Sequence, residues 1–91
     1  MNSLEKNITV NIHRGVHGRV ATRLAQIIRL HDVDLYILQE GQEIDCSSVL
    51  DVLSMAFVCG TEVKFRVQGK AAIPAIADVE KLFATRGEPC P

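Results

Sequence analysis

The stretch "TEVKFRV", Thr61–Val67, sets Val63, Phe65 and Val67 against Glu62, Lys64 and Arg66. Strict alternation of this kind marks a strand buried on one face and wet on the other. A short chain containing it must supply one apolar layer to cover that face. "NITVNI", Asn7–Ile12, alternates in the same way, with Ile8, Val10 and Ile12 on one side. "VDLYIL", Val33–Leu38, returns to period two, "QEGQ" turns, and "EIDC" continues as a paired strand, which predicts a hairpin.

Between the strands the period changes. From Gly18 to Leu30, Ala21, Leu24, Ala25 and Ile28 fall on one helical face, with Thr22, Arg23, Gln26 and Arg29 outside it. Ser48–Val58 is apolar and helical, with Gly60 placed as a residue just past a helix end. After Gly69, Ala72, Ile76, Val79 and Phe83 form a third stripe, with Pro74 tolerated in its first turn. The predicted order is β-α-β-β-α-β-α. One-sided strands place all three helices on the same sheet face, an open-faced α+β sandwich.

At 91 residues the chain holds one domain, residues 1–91, with a core over about 7–84 and a polar tail at 85–91. A chain of this size buries roughly 60–65% of its unfolded surface. The net charge of −1 gives no global electrostatic argument for nucleic acid or membrane. Cys46, Cys59 and Cys90 include no CxxC pair, which argues against a disulfide framework and predicts two buried thiols and one in the tail. No apolar run reaches the length of a membrane span, and "MNSLEKN" lacks a signal-peptide core, so the expected location is cytoplasmic.

The first candidate site is "RGVHGRVA", Arg14–Ala21. A helix starting after His17 leaves the N–H groups of Gly18, Arg19 and Val20 without intrahelical partners. Those donors and the helix dipole favour an anion there, and Arg19 can clamp one with its planar fork. A neutral imidazole nitrogen can attack phosphorus, and each donor to the resulting charged group contributes ~1.5–3 kcal/mol. The bland alternative is a capping or surface histidine. His13 and His17 have the spacing of a helical metal pair, but His13 closes a strand and Gly15 intervenes. No third ligand is evident, so neither metal nor cofactor is expected. His13 and His31 read as surface histidines.

The second candidate site is "SSVLDVLSMAF", Ser47–Phe57. Val49, Val52, Leu53 and Ala56 suffice for a core face, so Leu50 and Phe57 extend apolar surface that suits a partner. Ser48 with Asp51 fits a capping box, a cap worth ~1 kcal/mol. A phosphate on Ser48 would sit at a helix start beside that apolar surface.

The element order, the Gly-x-His-x-Arg stretch and the serine-led apolar helix together resemble HPr, the histidine-containing phosphocarrier family of the bacterial sugar phosphotransferase system. The likeness runs from about Asn7 to Phe83. The family motif Gly-(Leu/Ile)-His-(Ala/Thr)-Arg-Pro-Ala stands here as Gly15-Val16-His17-Gly18-Arg19-Val20-Ala21, and Lys-Ser-(Ile/Leu) as Ser47-Ser48-Val49. The resemblance implies a four-stranded, mainly antiparallel sheet. It implies that His17 is the phosphoacceptor, that Arg19 and the backbone of Gly18 and Arg19 steady the phosphoryl group, and that Ser48 is the regulatory phosphorylation site. It also implies docking through Val16, Val20, Arg23, Val49, Leu50 and Leu53. The implied partners are an enzyme I-like phosphoryl donor, IIA-type acceptor domains and a candidate HPr kinase/phosphorylase. Such a protein is a stoichiometric phosphohistidine intermediate rather than a turnover enzyme. The alternative is an HPr-like regulatory module acting through protein contacts alone. Val20 departs from the motif's proline and Gly18 from its alanine or threonine, each change worth ~0.4–1 kcal/mol through the unfolded chain.

Overall fold

The computed structural model describes residues 3–10, 18–55 and 57–84. Its elements are β1 (Ser3–Thr9), α1 (Gly18–His31), β2 (Asp34–Gln39), β3 (Gln42–Asp45), α2 (Val49–Ser54), β4 (Glu62–Gln68) and α3 (Ala72–Phe83). The four strands form one sheet in the order β1-β4-β2-β3, and every neighbouring pair is antiparallel. The register sets Ile8 beside Val63, Leu35 beside Val67, and Ile37 between Phe65 and Ile44. These side chains are buried under the helices together with Val20, Ala21, Leu24, Ile27, Val52, Ala72, Ala75, Ile76, Val79 and Phe83. Phe65 and Phe83 meet with ring centroids 5.5 Å apart, a tilted aromatic pair joining sheet to α3.

Local chemistry fixes the connections. The hairpin turn carries Glu40 and Gly41 at φ of 49° and 78°, two left-handed residues whose twist matches that of the flanking strands. At the end of α1, Asp32 adopts φ 52° and the Val33 N–H donates to the Ile28 carbonyl at 3.2 Å, closing the helix with a Schellman bond. Val33 therefore belongs to the helix exit, and β2 begins one residue later than the period-two pattern predicts. Gly69 has φ 141°, and a Cβ there would lie 2.9 Å from Val33 Cγ1. Glycine at 69 is thus required both by conformation and by the close approach of the α1 exit.

Two elements differ from the sequence reading in length. β1 starts at Ser3 rather than Asn7, since Leu4 and Ile8 face the helix layer and Lys6 between them reaches Glu80 on α3 at 2.9 Å. An inward-pointing lysine on an edge strand also discourages pairing with another chain. α2 ends at Ser54 with Met55 as its cap, short of Val58. Gly60 does not cap that helix: at φ 93° it turns the chain into β4, and its N–H donates to the Val10 carbonyl at 2.7 Å. The turn buries Phe57 in the core and leaves Val58 exposed, so the partner surface assigned to Phe57 does not exist.

Cys46 is a free, fully buried thiol whose pKa burial drives strongly upward, as expected of a small core residue. Cys59 departs from the expectation of free thiols: it is half-buried and disulfide-bonded. Cys90 lies outside the described residues.

Candidate functional site

The histidine loop itself, with Arg14, Gly15, Val16 and His17, falls outside the described residues, as does His13. What is described is the helix that follows. α1 opens at Gly18, runs for 14 residues and has no acidic residue in its first turn. Its full sequence contains Arg19, Arg23 and Arg29 and no carboxylate. Dipole and side-chain charge therefore act in the same direction at its start.

Gly18 and Arg19 are exposed. The Thr22 hydroxyl donates to the Gly18 carbonyl at 2.8 Å, tightening the first turn. Nothing lies within 4 Å of the position a Cβ would take at Gly18, so no neighbour demands glycine there. Arg23 is exposed and its guanidinium donates to Gln26 Oε1 at 3.3 Å, one turn along the same face. Val20 is buried, which removes it from the docking surface. The helical period sets it in line with Leu24 and Ile27, so position 20 serves the core.

Ser48 occupies the N-cap of α2, as the sequence predicts, but its side chain makes no capping hydrogen bond. The capping box with Asp51 does not close, because the Ser48 N–H already donates to the Asp45 carbonyl at 3.1 Å. The turn before the helix is held instead by Asp45, whose Oδ1 accepts from the Ser47 N–H at 2.9 Å. Of the three apolar residues assigned to docking on this helix, Leu50 projects fully, at 79% exposure. Val49 and Leu53 are half-buried and pack against the core. α1 and α2 pack on one another, so Arg19, Arg23, Ser48 and Leu50 all belong to one helical layer.

Two clusters escaped the sequence reading. His31, read as a surface histidine, places Nε2 2.6 Å from Asp78 Oδ2 and ties α1 to α3; its side chain is 17% exposed. On the far side of the sheet, the Arg66 guanidinium stacks over Tyr36 at 5.1 Å and pairs with Glu43 at 2.6 Å. Burial pushes the Tyr36 phenol up, helped by Asp34, Asp45 and Glu43, against the opposing pull of Arg66. The signal for the second cluster is present in sequence, since Glu62, Lys64, Arg66 and Tyr36 occupy the outward positions. Their pairing depends on the register.

A family model described as "PTS HPr component phosphorylation site" matches residues 4–85. The chain belongs to the HPr family. Among curated HPr family proteins, it is 28% identical over 83 residues to the phosphocarrier protein HPr of Treponema pallidum strain Nichols, covering 91% of this chain and 94% of that one. It is 29% identical over 76 residues to the phosphocarrier protein NPr of Shewanella violacea, covering 84% of each. The HPr-like protein Crh of Bacillus subtilis strain 168 shares 26% identity over 81 residues, 89% of this chain and 92% of that one. The crystal structure of a phosphocarrier protein HPr from Bacillus anthracis superposes with a TM-score of 0.80 at 20% identity, covering 90% of this chain and 98% of that one. That likeness establishes the open antiparallel sheet with its helices as the HPr fold. Among the described residues no helix is long and apolar enough to cross a membrane.

Proposed function

We propose that this HPr family chain is a cytoplasmic phosphocarrier of the phosphoenolpyruvate-dependent phosphotransferase system, with His17 as the phosphoacceptor. The observation that carries this reading is the family match across residues 4–85, which includes the Gly15–Ala21 motif and ends its loop at a carboxylate-free helix start. The neutral imidazole of His17 attacks the phosphorus of a phosphohistidine on an enzyme I-like donor. A new N–P bond forms as the donor's N–P bond breaks and its electron pair returns to the donor imidazole. Arg19 and the backbone N–H groups of Gly18 and Arg19 hold the transferred group until an IIA-type acceptor takes it. Arg23 and Leu50 face the partner, with Val16 beside the histidine and Val49 and Leu53 filling beneath Leu50. Catalysis here is positioning and charge stabilisation, with no cofactor, no metal and no nucleic acid.

The test is incubation of the protein with phosphoenolpyruvate and purified enzyme I, followed by assay for acid-labile, alkali-stable phosphate. One phosphate per chain is expected on wild type and none on His17→Ala; equal labelling of the two overturns the assignment.

Regulation through Ser48 is part of the same proposal. It is supported by the absence of a side-chain cap hydrogen bond, which leaves the hydroxyl uncommitted at the helix start beside exposed Leu50. A phosphate there, added by an HPr kinase/phosphorylase, puts about two negative charges against the docking residue. A Ser48→Asp variant is expected to weaken partner binding, and unchanged affinity for every partner removes the switch. The same two residues also suit the second reading, an HPr-like regulatory module working by contact alone. That reading stands if His17 takes no phosphate while Ser48→Asp still alters binding.

A further inference from the structure

The helices cover one face of the sheet, and among the described residues no element covers the opposite face. Strand pairing places Glu5 and Arg66, Tyr36 and Arg66, and Tyr36 and Asp45 side by side on that face; one step along lie Asn7, Lys64, Leu38 and Glu43. Asp34 and Glu62 stand near its two ends. The face thus carries five carboxylates, Glu5, Asp34, Glu43, Asp45 and Glu62, against the two cations Lys64 and Arg66. Both cations are engaged: Arg66 with Glu43 at 2.6 Å and with the Tyr36 ring, Lys64 with Glu5 at 4.0 Å. Asp34 and Glu62 have no ion-pair partner among the described residues. Between them Tyr36 and Leu38 are half-buried, and the aliphatic stems of Lys64 and Arg66 lie alongside.

We propose that this open face docks a basic amphipathic helix of a partner protein, completing a third layer on the sheet. Charge complementarity selects the occupant. Asp34 pairs in register with Gln68, six residues along β4 from Glu62, so the two unpaired carboxylates are about 20 Å apart. A helix rising 1.5 Å per residue spans that distance in about 13 residues. The matching ligand carries Lys or Arg at both ends of an apolar stripe of that length. A recess of about 340 Å³ beside the hairpin, lined by Leu38, Glu40, Glu43 and Lys64 among others, gives room for one further cationic side chain. The face lies across the sheet from α1 and α2, so the helix can bind while the helical layer stays accessible.

The experiment uses the ¹⁵N-labelled full-length protein and three synthetic peptides. One has a leucine stripe with lysines about 13 residues apart, the second has glutamates in their place, and the third has its lysines one turn apart. The first peptide is expected to shift the amides of Tyr36, Leu38, Lys64 and Arg66, leave Leu50 and Arg19 unmoved, and weaken with salt. The Asp34→Asn/Glu62→Gln double variant is expected to bind it about threefold or more weakly, with phosphate labelling of His17 unchanged. Shifts centred on α1 or α2, equal binding of the glutamate or short-spaced peptide, or an unaffected double variant overturn the proposal. A concentration-dependent dimer in sedimentation that shifts these same amides also overturns it, since the occupant would then be a second copy.

Discussion

α1 and the open face of the sheet are the two strongly charged regions among the described residues, and they have opposite signs. The helix carries Arg19, Arg23 and Arg29 with no carboxylate, while the sheet face carries five carboxylates against two cations. A formal charge of −1 averages these away. The difference teaches that net charge bounds only what the whole molecule does at long range, whereas a partner meets one face. It also shows two ways of handling charge. On α1 the arginines are exposed, with Arg19 and Arg23 adding to the positive end of the helix dipole and Arg29 offsetting its negative end; on the sheet the cations are bound into a network around Tyr36.

The comparison can be broken most forcefully at the helix. Arg19→Gln is expected to slow phosphoryl transfer to His17 by about 10- to 100-fold, as loss of a charged donor worth ~1.5–3 kcal/mol implies. Stopped phosphate labelling over a salt series measures it, and a rate equal to wild type removes Arg19 from the site. Gly69→Ala tests the joint between the α1 exit and the strands. The alanine is expected to destabilise the fold by ~1–3 kcal/mol in urea unfolding, from its φ and the approach of Val33.

A smaller effect of opposite sign is expected at the helix start. Gly18→Ala has room for its methyl group and should stabilise by ~0.4–1 kcal/mol, read from the urea midpoint. On the sheet, Glu43→Gln should cost at most ~1 kcal/mol, because its half-exposed pair with Arg66 is screened by water. Tyr36 gives the pH side of that cluster. Its folded pKa is raised, so its contribution to stability is complete below the ordinary tyrosine value near 10 and is lost as pH rises through the folded value. Ultraviolet titration should show this phenol ionising above free tyrosine, and Asp34→Asn should bring it down by removing a repelling charge.

Much of this was legible in the sequence because the physics involved is local. Alternation over Glu62–Gln68 and the stripe Ala72, Ile76, Val79, Phe83 named the buried side of each element, and all of those apolar residues are buried. The Gly15–Ala21 motif pointed to the family that the match over 4–85 shows. Errors came where position in space overrode pattern. Phe57 read as surface because a helical wheel does not say how wide the covered stripe is, and Val20 because the family resemblance implied a docking role for its position. The packing of α1 and the turn after α2 made both residues core. The capping box at Ser48 read as closed because its spacing is right, yet Asp45 had already taken the N–H.

The sequence by itself determined the inward side of the strands and of α3, the hairpin turn, and that three helices share one sheet face, because hydrophobic period and backbone preference act within a few residues. Only the tertiary structure decided that Arg66 would lie between Tyr36 and Glu43, that His31 would meet Asp78, and that the acidic residues of all four strands would share one open surface. Those pairings join residues that are far apart in the chain, and strand register and helix packing alone set which of them meet.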